Sequence, residues 1–262
     1  MPRLTIGITL ESLGQPLRVA VVTAAQAGIG GLVFDAVGPL SPDTLGDTAR
    51  REVRHLLHSH LIRPIALRCP LRHGLDEIKG LEARLERLHQ AMHLSFDLGA
   101  RLILLGIGAI PNSEDDPNRQ RLKTVLNELS QYGDRIGSRI ALDVGLEPIE
   151  TMLALLQGID SGSLGLSIDP ATLLIEKLRI DSTLLAARSR LIHTFARDAI
   201  PRRIDRPAKE VALGAGDVDW LAWFGTLEAI GYTGAVTIRQ AASTQPLKDA
   251  TAAVQFLRRI GV

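Results

Sequence analysis

Eight short apolar segments alternate with longer amphipathic segments along the chain, and this order limits the folds that it can adopt. The predicted strands are residues 4–9, 31–35, 64–68, 101–106, 139–143, 164–169, 191–196 and 235–239. The predicted helices lie near residues 17–28, 44–60, 81–99, 119–136, 147–158, 181–189, 218–230 and 247–259. Because neighbouring parallel strands need a crossover connection, usually a helix, this alternation predicts a parallel sheet.

The number of these units favours a closed barrel. Eight strand–helix units in 262 residues predict a single α/β domain, a (β/α)8 TIM barrel over residues 1–262. An open doubly wound sheet is the alternative, and it usually carries a glycine fingerprint after its first strand. The first predicted strand is followed by LESLGQP, which lacks that fingerprint, so we expect the closed barrel.

Alternate positions of the predicted strands differ in size, as the two faces of a barrel strand would. The large residues are Ile6, Ile8, Leu32, Phe34, Ile65, Leu67, Ile140, Leu142, Leu166, Ile168, Val236 and Ile238. The small ones are Gly7, Ala66, Ala141, Gly165, Ser167 and Thr237. We expect the large set to pack against the helices and the small set to face the crowded interior.

The composition points to a small-molecule partner. The formal net charge of +1 argues against a nucleic acid held mainly through its phosphates. No apolar run is long enough to span a membrane, and the N-terminal residues show no signal-peptide pattern. The single cysteine, Cys69, fits a reducing compartment. We therefore predict a cytoplasmic protein that binds neither nucleic acid nor membrane, and a homo-oligomer is compatible with the sequence.

Charged residues lie at or just after the carboxyl ends of the predicted strands, where barrels of this class place their active sites. The interior-facing alternation reaches Asp35, Arg68, Asp143, Asp169 and Arg239, and on the seventh strand it passes through His193, Phe195 and Arg197. These residues predict a ligand pocket, in which carboxylates serve acid–base chemistry and arginines hold anionic groups. For any one of them, a role in a balanced structural charge network is an equally good interpretation.

Several segments resemble the xylose isomerase-like TIM barrels, the sugar-phosphate isomerase/epimerase group. They are RIALDVGLEPIET, LGLSIDPATLL, HTFARDA, LGAGDVDW and GYTGAVTIR. The resemblance implies an isomerase or epimerase of carbohydrate metabolism that acts on a small sugar-like or polyol substrate and that, on a sugar-like substrate, abstracts a proton next to a carbonyl. Asp143 or Asp169 would be the base, and Arg239, Arg197 or Arg68 would stabilise the developing oxyanion. Together with the positions at the strand ends, this makes Asp143, Asp169 and Arg239 the catalytic candidates and Arg68, His193, Arg197 and Asp35 the substrate-binding candidates.

In that family a divalent metal is bound by a Glu, an Asp, a His and a Glu on strands five to eight. The matching positions here are Asp143, Asp169, Phe195 and Arg239. Phenylalanine offers no lone pair and arginine is a cation, so we expect this metal to be absent and no cofactor to be needed. A weakly held divalent metal at Asp143 and Asp169 is the alternative.

Loss of the metal would leave two carboxylates facing each other, and like charges so placed raise each other's pKa. We expect Arg239 to supply the missing positive charge through an ion pair with Asp143 or Asp169. The alternative function is a non-catalytic polyol- or anion-binding protein, or a pseudoenzyme. A DNA-repair barrel of the endonuclease IV type is less suitable, because its metal cluster needs many histidines and His193 is the only one after residue 93.

Overall fold

The computed structural model describes residues 4–262, most of which build a ring of parallel strands with helices outside it. In chain order the strands are β1 (Thr5–Thr9), β2 (Gly31–Asp35), β3 (Arg63–Arg68), β4 (Leu102–Leu105), β5 (Arg139–Val144), β6 (Leu164–Ile168), β7 (Leu191–Ala196), β8 (Asp198–Ile200), β9 (Lys209–Val211) and β10 (Ala235–Ile238). Strands β1 to β7 pair in sequence order, and β10 closes the ring between β7 and β1. The predicted (β/α)8 barrel is confirmed, and residues 1–3 of the predicted range lie outside the described part.

The helices cover the outside of the ring. They are α1 (Leu10–Leu13), α2 (Leu17–Gln26), α3 (Asp47–Ser59), α4 (Leu81–Leu98), α5 (Pro117–Ile136), α6 (Ile149–Leu155), α7 (Pro170–Ile175), α8 (Ile180–Ala187), α9 (Trp220–Ala229) and α10 (Pro246–Arg259), with a short 3-10 helix at Gly38–Leu40. The sequence pattern missed the short helices α1 and α7 and the antiparallel hairpin of β8 and β9, which are too short to show periodicity. Between residues 4 and 262, no helix is both long and apolar enough to cross a membrane.

Glycines end two of the long helices. Gly99 follows α4 with φ 84°, and Gly137 follows α5 with φ 73°. This left-handed conformation is easily reached only by glycine, and it lets the backbone N–H groups turn back to the last free carbonyls of the helix. The chain therefore leaves each helix abruptly and enters the next strand within a few residues.

The interior of the barrel has its own small core, separate from the large one between the strands and the helices. Its buried members are Val33, Ala66, Leu104, Ala141 and Phe195, and Ile65, Leu102 and Ile192 pack against them. Side chains fill the ring, as in other closed barrels of eight strands. Any ligand site must therefore lie at the mouth rather than in a channel.

The expected outward position of Ile65 is wrong. The register of β2 and β3 shifts between Leu32 and Val33, so Ile65 is an extra residue in its strand and turns inward. Its side chain occupies the space beside Gly7 and Gly31, where any Cβ would overlap it. The two-residue period fails at this point because a bulge resets the alternation.

A second bulge has the same effect on β7. The register of β6 and β7 shifts between Leu166 and Ser167, and Ile192 packs against the interior core in the space left by Gly165. Beyond this bulge His193 pairs in register with Ser167. The shift therefore sets which side chains of β7 approach the mouth.

Candidate active site at the mouth of the barrel

A pocket of about 220 Å³ opens at the carboxyl ends of the strands. Its lining includes Asp143, Ser167 and Phe195 in strands, Asp169 and Arg239 directly after strands, and the loop residues Gly106, Gly108 and Glu147. We call it the site pocket. It brings together the four positions that the sequence matched to the metal ligands of the family.

Asp143 lies in the wall of the site pocket at the end of β5, in register with Ser167 on β6. Many protein atoms lie around it, but its side chain is exposed to the solvent in the pocket. Burial raises the pKa of Asp143 to about 6, while the positive charges of Arg68 and Arg239 act in the opposite direction. Solvent in the pocket screens part of this effect, and Asp143 still holds its proton more tightly than an ordinary aspartate.

Asp169 is buried, and both of its carboxylate oxygens are engaged. Oδ1 accepts the backbone N–H groups of Ala171 at 3.0 Å and Thr172 at 3.3 Å, which caps α7. Oδ2 lies 2.8 Å from Nε of Arg197. The two groups form an ion pair, but their angle is not that of a hydrogen bond. A residue held in this way positions the start of a helix and has little freedom to bind a ligand.

Arg197 connects Asp169 to the hairpin of β8 and β9. Its guanidinium donates to Oγ1 of Thr172 at 2.7 Å and lies 3.5 Å from Oε2 of Glu210 on β9. The side chain is only 15% exposed, so these contacts account for most of its surroundings. Arg197 is therefore committed to protein groups at the edge of the mouth.

The ion pair that we expected between Arg239 and Asp143 or Asp169 does not form within residues 4–262. Arg239 instead places its guanidinium carbon 5.6 Å from the ring centre of Phe195, a cation–π contact. The prediction failed because Arg197 already neutralises Asp169 and the ring attracts the cation. Arg239 nevertheless lines the site pocket, and its positive charge lowers the pKa of Asp143.

Arg68 forms a second charged group on the opposite side of the mouth. It lies 3.4 Å from Oδ1 of Asp35 and 2.9 Å from Oε2 of Glu11 on α1. Burial raises the pKa of Asp35, and the Arg68 charge opposes this shift. The structure thus brings Asp35 and Arg68 together at the rim, outside the lining of the site pocket.

His193 lies in the barrel interior, one layer below the mouth. Nδ1 is 3.0 Å from Oγ of Ser167, Nε2 is 2.9 Å from Oγ1 of Thr237, and the ring packs edge-on against Phe195. Loss of solvation lowers the pKa of His193 to about 3, so the ring is neutral. With both nitrogens bonded inside the ring of strands, the structure does not bring His193 into the site pocket.

Two acidic residues that the sequence analysis did not select also lie near these groups. Glu147 lines the site pocket, and its Oε1 accepts the backbone N–H of Ile110 at 3.0 Å. Glu210 reaches Arg197 from β9. The position of Glu147 in the loop after β5 could have identified it as a candidate from the sequence, because the loops at this end of a barrel carry the catalytic residues. Glu210 belongs to a three-residue strand with no sequence signature.

Asp198 follows Arg197 and organises the loop that leads to α9. It is 1% exposed. Its two oxygens accept five N–H groups at 2.9–3.3 Å, from the backbones of Ala199, Gly214, Gly216 and Val218 and from the indole of Trp220. One carboxylate therefore holds together a segment that otherwise lacks regular structure.

The donor groups at the four matched positions do not fit the divalent metal of the family. Phe195 has a hydrocarbon ring, Arg239 is a cation, and both oxygens of Asp169 are occupied. Across the described residues, no three His, Cys, Asp or Glu side chains are grouped as a metal site requires. Among the described residues, Asp169 is paired with Arg197, whereas Asp143 has no ion pair within 4 Å.

Solved structures share this fold along nearly the whole chain. A xylose isomerase domain protein from Planctomyces limnophilus has a TM-score of 0.86 at 21% identity, with 99% of this chain and 98% of that chain covered. A D-allulose 3-epimerase from Methylomonas sp., solved in complex with D-allulose, has a TM-score of 0.77 at 21% identity and coverages of 98% and 97%. A D-psicose 3-epimerase from Clostridium cellulolyticum H10, solved with D-tagatose, has a TM-score of 0.81 at 16% identity and coverages of 98% and 99%.

Comparison of the sequence with known proteins identifies the family of this chain. No curated protein matches the chain. The model of the family described as xylose isomerase-like TIM barrel matches residues 21–260, which is nearly all of the described sequence. The barrel, its mouth and this match agree, and the chain belongs to the xylose isomerase-like TIM barrel family.

Proposed function

We propose that this protein is an isomerase or epimerase that abstracts a proton next to a carbonyl in a small sugar-like substrate. The observation that carries the proposal is the placement of Asp143 and Arg239 in one pocket at the mouth of the barrel. A carboxylate whose pKa is raised towards neutrality is suited to act as a general base. A nearby guanidinium stabilises negative charge that develops on an oxygen atom.

The chemistry uses these two groups, a second acid–base group and a substrate. The Asp143 carboxylate takes a proton from the carbon next to the carbonyl, the electron pair of that C–H bond forms a carbon–carbon double bond, and the π electron pair of the carbonyl moves onto its oxygen. Arg239 faces the resulting enediolate and stabilises its charge. Return of the proton to the former carbonyl carbon, with transfer of the hydroxyl proton between the two oxygens, gives an isomer, and delivery of a proton by a second group to the opposite face of the original carbon gives an epimer. Glu147, which lines the same pocket, is placed to serve as the second acid–base group.

Two of the structural relatives support this substrate class. They are named as 3-epimerases and were solved with the sugars D-allulose and D-tagatose. Their identities of 21% and 16% to this chain are low, so the likeness supports the fold and the position of the site. That this chain acts on the same class of substrate is part of the proposal. A cytoplasmic location is also part of it.

Deuterium exchange tests the proposed reaction, and it does not require the product sugar to be identified. The protein is incubated with a panel of ketoses and aldoses in D₂O, and loss of the proton next to the carbonyl is followed by NMR. We expect one or more sugars to exchange with the protein and not with the heat-denatured control. If no sugar exchanges above that control, proton abstraction is not the function of this site.

The rate of this exchange should depend on the protonation of Asp143. The base works as the carboxylate, so the rate should fall about tenfold for each pH unit below the pKa of about 6 and level off above it. The measurement is a pH–rate profile, with circular dichroism at each pH to show that the fold persists. A rate that stays constant well below pH 6 would assign the proton transfer to another group.

The proposal also includes loss of the divalent metal of the family, because two of the four positions hold Phe195 and Arg239. Exchange should therefore persist after treatment with EDTA. Replacing both residues with the donors of the family, Phe195→His with Arg239→Glu, should raise the affinity for Mn²⁺ by about tenfold or more, since two ligands are restored. Isothermal titration calorimetry of the native and doubly substituted proteins measures this. Tight Mn²⁺ binding by the native protein would show that Asp143 and Asp169 still hold a metal.

One observation favours a second candidate function. Asp169 and Arg197 are fixed by each other and by Thr172 and Glu210, so half of the charged mouth is occupied by contacts within the protein. This arrangement suits a non-catalytic protein that binds a polyol or an anion at Arg239. Binding of a sugar without deuterium exchange would favour this second function over the first.

A further inference from the structure

A second cavity lies beside the mouth, next to β1 and β2. Its volume is about 730 Å³, more than three times that of the site pocket. The walls come from residues 10–18, from the segment that follows β2 and from α3. Apolar side chains dominate the lining, among them Leu10, Leu17, Leu40, Val53 and Leu56. We call it the side cavity.

An ion-pair group separates the side cavity from the site pocket. Glu11 and Asp35 line the side cavity, and both bind Arg68. Arg68 is close enough to Asp143 for its positive charge to lower the pKa of that carboxyl. The positive charge of Arg68 therefore acts both on an acid of the side cavity and on the proposed catalytic group.

The remaining charged residues of the lining are exposed. Arg18 and Glu52 form a pair at 3.8 Å with side-chain exposures of 76% and 64%, so both side chains lie mostly in water. Between this pair and Arg68 the lining is apolar. Water in contact with such a wall is displaced favourably by an apolar group.

Resting on the proposed function, we infer that the substrate is amphipathic. Its small polyhydroxylated unit occupies the site pocket, and an apolar group joined to that unit fills the side cavity. A glycoside of a keto sugar has this chemistry, because its sugar ring keeps a carbonyl and its anomeric position carries an apolar aglycone.

The sizes of the two cavities support the inference. Ligand pockets in proteins commonly measure about 300–1,000 Å³. The site pocket alone lies below that range, and the two cavities together lie within it. We therefore assign this apolar cavity, which lies across one ion-pair group from the site pocket, to the same ligand site.

The test compares, by isothermal titration calorimetry, the binding of the 3-keto derivatives of phenyl β-D-glucoside and methyl β-D-glucoside, which keep a carbonyl in the sugar ring. The phenyl compound should bind about tenfold more tightly or better, because its ring is buried in the side cavity. Val37→Asp introduces a charge into the lining, and Ala49→Phe fills part of the space. Both variants should remove the preference. Val22→Asp is the matched control, since Val22 and Val37 are each 38% exposed and Val22 is not part of the lining.

Three outcomes would overturn the inference: equal binding of the two keto glucosides, binding of neither, or a phenyl preference that survives both lining substitutions. A preference lost equally in Val22→Asp would also count against it, because the effect would then be general. The test is independent of turnover. Absence of deuterium exchange together with an intact phenyl preference would reject the proposed reaction and leave the side cavity as a binding site.

Discussion

Asp143→Asn is expected to lower the rate of deuterium exchange by about 10²–10⁴-fold, the usual contribution of a general base. The amide has nearly the same shape as the carboxylate and keeps the contacts in the pocket, but it does not accept a proton from carbon. The loss should therefore appear in kcat, with little change in the affinity for the sugar. Exchange followed by NMR across a range of sugar concentrations separates the two quantities.

Controls for this substitution separate chemistry from folding. Asp160→Asn changes the same type of side chain at an exposed position outside the lining of either cavity, and it should leave the exchange rate unchanged. Asp143→Ala removes the carboxylate by a different route and should lose as much activity. If Asp143→Asn and Asp143→Ala both exchange within a few-fold of the native protein, Asp143 is not the base, and Glu147 becomes the residue to test.

Asp198→Asn is expected to destabilise the protein by about 3 kcal/mol. The buried carboxylate accepts five N–H groups, whereas an asparagine side chain presents an NH₂ group to some of those donors. Hydrogen bonds to a charged acceptor contribute about 1.5–3 kcal/mol each, and donors left without an acceptor in the interior carry a further cost. Urea denaturation followed by circular dichroism measures the free energy of unfolding.

Asp217→Asn, in the loop that Asp198 holds, is the matched control. Asp217 pairs with Arg203 at 3.1 Å, and its side chain is 41% exposed. Exposed ion pairs contribute about 0–1 kcal/mol, so this variant should unfold close to the native protein. If Asp198→Asn unfolds at the same urea concentration as Asp217→Asn, the five contacts of Asp198 do not stabilise the loop as the geometry indicates.

Much of the barrel can be predicted from local sequence. Each strand is a short apolar run and each long helix repeats its apolar positions at helical spacing, so both are recognisable from their own residues. The prediction failed where pairing between strands changes the alternation. Ile65 turns inward because β3 has one more residue than its partner at that point. The hairpin of β8 and β9 was missed because three-residue strands carry no period.

The candidate site was only partly predictable. The strand-end rule selected Asp143, Asp169 and Arg239, and the structure brings all three into the lining of one pocket. It did not foresee that Arg197 would take Asp169 as its partner, or that Arg239 would lie over Phe195. Such choices depend on distances between side chains of different strands, and a pattern within one strand does not contain them.

The sequence by itself determined the parallel barrel and the end at which its charged residues gather. It did so because alternation and side-chain size are properties of neighbouring residues. Only the tertiary structure decided which charges neutralise each other and which carboxylate is left without an ion pair among the described residues. It also decided that an apolar cavity lies at the same end of the barrel. The reason is physical: ion pairing and cavity shape arise where segments far apart in the chain meet, and their energies fall steeply with distances that the folded ring alone sets.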